Sequence, residues 1–217
     1  MTRSIDLALD GAVATVLLDR PWRFNALARA DWEALEARIA EIEASPGIGC
    51  VIVRGAGGRA FSTGLDMSRF ADERRDPHSA RAYSEATERA CGRIGALPMP
   101  TIAMIEGFCM GSGVDIACRC DLRIAAADAR FRVSPRTIGL FLDTGFVAAM
   151  LAVIGRARTL ELVLEGRTYD AAAAQAMGLV GRVVETDALE DETRALAARL
   201  ADSYAAISSN RSTSTSP

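Results

Sequence analysis

Two apolar runs each lead directly into a glycine turn, and this pairing constrains the chain more than any other feature. Cys50-Val51-Ile52-Val53-Arg54 precedes Ala60-Phe61-Ser62-Thr63-Gly64-Leu65-Asp66. Thr101-Ile102-Ala103-Met104-Ile105 precedes Gly107-Phe108-Cys109-Met110-Gly111-Ser112-Gly113-Val114-Asp115. The apolar runs read as strands. Glycine lets the backbone turn sharply and lets another atom approach it closely. Two such turns can aim two backbone N–H groups at one point, the geometry that holds a carbonyl oxygen as it becomes negative.

The rest of the chain alternates strand and helix patterns. Ile5-Asp6-Leu7-Ala8-Leu9 and Val13-Ala14-Thr15-Val16-Leu17-Leu18 flank Asp10-Gly11, a hairpin signal. Trp32, Leu35, Ile39 and Ile42 recur at helical spacing and predict a helix ending near Ser45-Pro46-Gly47. Residues 71–80 are charged and contain Pro77, and read as a mobile segment before a helix over 81–96. A helix over 112–119, a strand over 121–126, helical runs near 145–153, 156–164 and 170–177, a strand over 181–185 and a helix over 187–205 complete the pattern. This alternation predicts an α/β protein with short parallel strands.

A chain of 217 residues fits one domain with a substantial core. Its net charge of −3 and lack of a long basic block argue against nucleic acid and membrane surfaces as partners. The five cysteines sit mostly in apolar runs and read as reduced, buried thiols; Cys118-Arg119-Cys120 lacks the second pair or histidine that a metal site needs. No run approaches the ~18 apolar residues of a membrane span. Asp6 and Asp10 interrupt any secretory apolar region, so a cytoplasmic protein is expected. The Ser/Thr-rich stretch 208–217 is expected to be a disordered tail beyond a domain covering 1–207.

Several chemistries fail on composition. His78 is the single histidine and stands in the charged segment, which leaves a histidine-based triad little to work with. Cys109 occupies the place where a G-x-S-x-G elbow would need glycine. Gly55-Ala56-Gly57-Gly58 lacks the lysine of a phosphate loop, and Ile116 stands where a dinucleotide fingerprint needs its third glycine.

Five segments in order resemble the crotonase (enoyl-CoA hydratase/isomerase) superfamily. Arg20-Pro21-Trp22-Arg23-Phe24-Asn25-Ala26-Leu27 resembles R-P-x-x-x-N-A-L, and the 60–66 turn resembles A-F-x-A-G-x-D. Residues 100–115 resemble P-x-I-A-x-x-x-G-x-x-x-G-G-G-x-E, Cys120-Asp121-Leu122-Arg123-Ile124-Ala125 resembles C-D-x-x-I-A, and Gly178-Leu179-Val180-Gly181-Arg182-Val183-Val184 resembles G-L-V-x-x-V-V. The resemblance implies a β-β-α spiral fold, a homotrimer or dimer of trimers, and an acyl-CoA thioester substrate of the kind met in fatty acid metabolism. It implies no cofactor, CoA entering only as part of the substrate, and no metal. The oxyanion donors it implies are the N–H groups of Leu65 and Ser112; serine at 112 is acceptable if its dihedrals suit a residue with a Cβ. For CoA it points to Arg23, Phe24, Ala60, Ser62, Gly64, Asp66 and Gly111.

The acid/base positions depart from the hydratase pattern. Of the two glutamates of classical hydratases, the first position here is Asp115 and the second is Pro135, which cannot carry a proton. Thr137-Ile138-Gly139-Leu140-Phe141-Leu142-Asp143-Thr144-Gly145 is similar instead to the G-L-x-x-D-x-G of dienoyl-CoA isomerases, which also carry Val-Asp at the position of Val114-Asp115. Dehalogenases of the superfamily need a histidine where this chain has Glu88. The resemblance therefore implies double-bond isomerisation with Asp115 and Asp143 as the acid/base pair. The alternatives are an enoyl-CoA hydratase (a lyase) using Asp115 with Glu88 or an acid from another subunit, and a non-catalytic acyl-CoA binder or subunit-interaction protein. Asp143 can instead be only a helix N-cap and Asp115 only a favourable charge in a first helical turn, while Glu88 reads more readily as a solvated face residue. The C-terminal helical part is expected to be shorter than is usual for the superfamily.

Overall fold

The computed structural model describes residues 4–133 and 142–213. The chain opens with β1 (Ile5–Asp10), β2 (Val13–Leu18), α1 (Arg29–Ala44), β3 (Cys50–Gly55) and β4 (Ala60–Ser62). There follow α2 (Phe70–Glu73), α3 (Pro77–Ala96), β5 (Thr101–Ile105), β6 (Phe108–Met110), α4 (Ser112–Arg119), β7 (Leu122–Ala126) and β8 (Arg130–Arg132). Beyond these come α5 (Thr144–Glu165), β9 (Tyr169–Asp170), α6 (Ala171–Ala176), β10 (Arg182–Val184) and α7 (Leu189–Thr213).

Six strands form one sheet in the order β1-β2-β3-β5-β7-β10, parallel except for the β1–β2 hairpin. The central strands are largely apolar because both of their faces are covered. Cys50, Ile52, Ile102, Met104, Ile124 and Ala126 meet Leu189, Ala197 and Ala201 of α7. The alternate residues Val51, Val53, Ala103, Ile105 and Ala125 face the main core with α1 and α3. Within that core the Trp32 indole N–H donates to the Tyr83 hydroxyl at 2.9 Å, and that hydroxyl donates to the Leu27 carbonyl at 3.2 Å. All five cysteines are free and buried, and no described helix is long and apolar enough to cross a membrane.

A second sheet, in the order β4-β6-β8-β9, was not legible in the sequence. Its strands are two or three residues long, too short for alternation to register. It carries both glycine turns: β4 lies parallel to β6 and β6 parallel to β8.

Two expectations are corrected. Residues 71–80 are not a mobile segment: α2 ends at Glu73 and α3 begins at Pro77. Proline is favoured at a first helical position, and the Asp76 carboxylate before it accepts from the Ser79 N–H at 2.8 Å. His78 therefore sits exposed on a first helical turn, not in a loop. The runs near 145–153 and 156–164 are found as expected, as two helical stretches of α5 that meet at a kink at Gly155, where φ is 69° and ψ 174°. Finally, α7 continues to Thr213, into the stretch read as a disordered tail. Neither glycine nor proline follows Leu189 before Pro217, and extending a nucleated helix is cheap. Pro135 and the other residues of 134–141 lie outside the described residues, as do 214–217.

Candidate active site

The two glycine turns meet. Leu27 pairs with Leu65 as an isolated parallel bridge: the Leu27 N–H donates to the Gly64 carbonyl at 2.7 Å, and the Asp66 N–H donates to the Leu27 carbonyl at 3.1 Å. That bridge uses the groups on either side of Leu65 and leaves its own N–H on the opposite edge. A Cβ built on Gly64, where φ is +78°, would stand 2.6 Å from the Ser112 nitrogen and 2.9 Å from the Met110 carbonyl oxygen. Only glycine permits that approach. A Cβ on Gly113 would likewise stand 2.3 Å from the Ser62 carbonyl oxygen, so the first turn of α4 lies directly on β4.

Ser112 is the first residue of α4, after Gly111 with φ 53°. Its own φ is not positive, so the serine Cβ is accommodated without strain. Among the described residues, neither the Leu65 nor the Ser112 N–H has a hydrogen-bond partner. Two such donors beside one glycine, one of them at a helix N-terminus, have the chemistry that a seat for an oxyanion requires.

The loop behind this seat is anchored by Ser62 and Asp66 together with Arg20, Asn25 and Asp31, which the sequence did not single out as functional. Asn25, fully buried with φ 55°, donates from Nδ2 to the carbonyls of Ala56 (3.0 Å) and Ala60 (2.7 Å) and accepts from the Arg20 N–H at 3.0 Å. Arg20 donates to Asp31 Oδ2 at 2.8 Å and to Asp66 Oδ2 at 2.9 Å. Burial alone would raise the Asp66 pKa, but hydrogen bonds from Ser68 and Arg20 outweigh it and hold the carboxyl below its usual range. Ser62 donates to the Asn25 carbonyl at 2.7 Å and accepts from the Gly64 N–H at 3.1 Å. The side chains of Ser62 and Asp66 are thus engaged inside the protein, and Ala60 is buried. Asn25 was visible as a motif residue; nothing in the sequence paired Arg20 with Asp31 and Asp66.

Phe24 lies on a groove of about 470 Å³ with Gly58, Arg59, Gly107, Phe108, Asp128 and Arg130. The Arg59 guanidinium sits 4.3 Å from the Phe24 ring centroid, and Phe24 meets Phe108 edge-on at 6.0 Å. Arg23 is exposed at the neighbouring position. Aromatic faces with arginines suit a flat, anionic ligand such as a nucleotide.

Asp115 is in the first turn of α4, 2% exposed. Its Oδ1 accepts from the Arg119 Nε at 3.1 Å, and the Cys91 thiol lies against it. Burial pushes its carboxyl up to about 6, against the opposing pull of Arg119. Asp143 occupies the N-cap position of α5, but its side chain makes no capping hydrogen bond. Burial raises its pKa, offset by Arg74 and the Ser84 hydroxyl. It opens onto a groove of about 500 Å³ shared with Ser84, Glu85, Glu88, Thr144, Gly145 and Ala148. Glu88 is more than a solvated face residue: it accepts from Arg119 at 3.1 Å, and a Cβ on Gly145 would stand 2.1 Å from its Oε2. Helices α3, α4 and α5 thus bring Glu88, Asp115 and Asp143 to one region. Asp115, pushed up to about 6 by burial, is suited to exchanging protons near neutral pH.

A family model described as enoyl-CoA hydratase/isomerase matches residues 9–214. The chain is 35% identical to the probable enoyl-CoA hydratase echA8 of Mycobacterium tuberculosis, covering 87% of this chain and 71% of that protein. It is 27% identical to a peroxisomal Delta(3,5)-Delta(2,4)-dienoyl-CoA isomerase of Arabidopsis thaliana, covering 80% of this chain and 66% of that protein. The crystal structure of an enoyl-CoA hydratase/carnithine racemase from Magnetospirillum magneticum superposes with a TM-score of 0.89 at 40% identity, covering 93% of this chain and 75% of that one.

Proposed function

The chain belongs to the enoyl-CoA hydratase/isomerase family, and from that premise we propose that it isomerises a double bond in an acyl-CoA thioester. The observation that carries the reading is the pair of N–H groups, Leu65 and Ser112, without a partner among the described residues, with the buried Asp115 in the helical turn that Ser112 opens and its pKa pushed up to about 6. A thioester carbonyl seated on those donors has acidified protons along its conjugated chain. Asp115 takes one such proton, and the resulting enolate is held by the two N–H groups and the N-terminus of α4. Asp143 returns a proton at another carbon of the conjugated system, and the double bond moves. Its open groove with Glu88 then lets Asp143 regain a proton from solvent while Asp115 gives one up, which restores both carboxyls for the next turnover. This chemistry balances without a cofactor.

CoA lies with its thioester against Gly64 and Gly111 and its nucleotide toward Arg23, Phe24 and Arg59. Ala60, Ser62 and Asp66 shape that path through backbone and internal hydrogen bonds. A homotrimer, or a dimer of trimers, is part of this proposal; equilibrium sedimentation measures it.

Hydration is the second reading. It is favoured by the hydratase name of the Mycobacterium relative and by Glu88, which Arg119 joins to Asp115. In that mechanism water is activated between Asp115 and Glu88. The test incubates the protein with 2-enoyl-, 3-enoyl- and 3,5-dienoyl-CoA and follows ultraviolet absorbance in the wild type and Asp143→Asn. The expected result is a growing dienoyl absorbance that Asp143→Asn slows by about 100-fold or more. Hydration of 2-enoyl-CoA at an unchanged rate in Asp143→Asn would establish the second reading instead. Thioester binding with no turnover would leave a non-catalytic acyl-CoA binder.

The seat itself is tested by Gly64→Ala. The added Cβ meets the Ser112 nitrogen and the Met110 carbonyl, so the two donors must part. Loss of a preorganised donor typically costs about 100- to 1,000-fold in kcat, and that is the expected fall in steady-state assays. A Gly64→Ala enzyme with unchanged kcat would place the carbonyl elsewhere.

A further inference from the structure

We propose that Arg119 is a positioning residue of the acid/base site: bridging Asp115 and Glu88, it fixes the carboxylate that handles the substrate proton and supplies the charge that keeps it a base. The inference rests on the proton-transfer role proposed for Asp115, and it holds for isomerisation and hydration alike.

The geometry is set by one eight-residue helix. Ser112 opens α4, Asp115 lies in its first turn, and Arg119 closes it. Residues four apart share a helix face, so Arg119 lies alongside Asp115. Its Nε donates to Asp115 Oδ1 at 3.1 Å, while one terminal nitrogen donates to both Glu88 oxygens, at 3.1 and 3.3 Å. The Arg119 side chain is only 15% exposed and that of Asp115 3%, against 48% for Glu88. The guanidinium therefore reaches from a buried carboxylate to one at the rim. Glu88 is held in turn by the start of α5, where Gly145 leaves room for its carboxylate.

The other ionisable groups around Asp115 do not replace this cation. From α3 come Glu88 and Cys91, and from α4 Cys118. Burial raises the pKa values of both thiols, which keeps them neutral. At the mouth of α5, Asp143 adds a third carboxyl, and its own arginine neighbour is Arg74. Arg119 is thus the cation that acts on Asp115 among the described residues. Without it, a buried carboxyl facing Glu88 holds its proton and cannot accept one. The planar fork also fixes direction: two donors on one rigid group set the Asp115 rotamer as a lysine ammonium would not.

The experiment compares the wild type, Arg119→Met and Arg119→Lys. Two readouts are taken: the pH dependence of kcat, and the carboxyl 13C titration of Asp115, assigned by its loss in Asp115→Asn. In Arg119→Met the titration midpoint and the acidic limb of kcat are expected to rise together, by about one to three pH units. KM stays near the wild-type value, and activity returns toward pH 9. Arg119→Lys, which keeps the charge and folds where methionine does not, restores most of the midpoint but less of kcat. A midpoint and pH profile in both variants that coincide with the wild type would overturn the proposal and reduce Arg119 to packing. If no thioester is turned over by the wild type yet the midpoint moves, the proposed reaction fails while the hold of Arg119 on Asp115 stands.

Discussion

Asp115→Asn is expected to lower kcat by roughly 1,000-fold while thioester binding persists. The amide is close in shape to the carboxylate but cannot accept a proton at neutral pH. The same substitution has a second, opposite effect on stability. Burial pushes the Asp115 carboxyl from 3.8 up to about 6 in the folded protein. A folded-state pKa above the unfolded one favours folding of the protonated form. That contribution is complete below the unfolded value and is lost as pH rises through about 6. The displacement corresponds to about 3 kcal/mol. Asp115→Asn has no such titration, so urea unfolding at pH 5 and pH 8 should show a smaller loss on raising the pH. At pH 8 the variant should be at least as stable as the wild type. An inactive variant that is also the less stable one at pH 8 would trace its inactivity to folding and remove Asp115 from the chemistry.

Arg20→Met is expected to cost about 3–5 kcal/mol of stability, the usual result of removing one partner from a buried ion pair. Arg20 stands between Asp31 and Asp66, whose side chains are only 11% and 4% exposed. It also donates to the Ala26 carbonyl at 2.7 Å. Methionine fills part of the volume but leaves two carboxylates facing each other without a cation. For a chain of this size the loss corresponds to a fall in Tm of about 10 °C or more. Activity of the folded fraction should fall as well, because this cluster holds the Leu27–Leu65 bridge and hence one of the two N–H donors. Thermal denaturation measures the first effect, and kinetics well below the new Tm the second. A Tm within a few degrees of the wild type would show that the cluster is solvated and not structural.

Much of the candidate site could be read from residue order. Both glycine turns are where the sequence placed them, and among the described residues the Leu65 and Ser112 N–H groups have no hydrogen-bond partner. The Trp32, Leu35, Ile39 and Ile42 stripe is the buried face of α1, and β3 and β5 begin at Cys50 and Thr101 as expected. These features are local: periodicity, turn chemistry and motif spacing act over a few residues. What escaped the sequence was pairing at a distance. Arg20 and Asp66 are 46 positions apart, and Arg119 and Glu88 31. In a chain with abundant, scattered arginines no spacing rule selects those partners. The start of α3 was legible but misread, since Asp76-Pro77 is as good a helix opening as it is an interruption.

The order of residues alone therefore determined the alternation of strands and helices, the two turns and the family they resemble. Glycine, proline and apolar spacing dictate backbone behaviour wherever they occur. Only the tertiary structure decided that the two turns touch at Gly64 and Ser112. It also decided that Ser62 and Asp66 are spent on holding the loop, and that Asp115 shares the half-buried Arg119 guanidinium with Glu88. The physical reason is that a carboxylate's chemistry depends on its burial and on the charges within a few ångströms, and both arise only when distant segments pack.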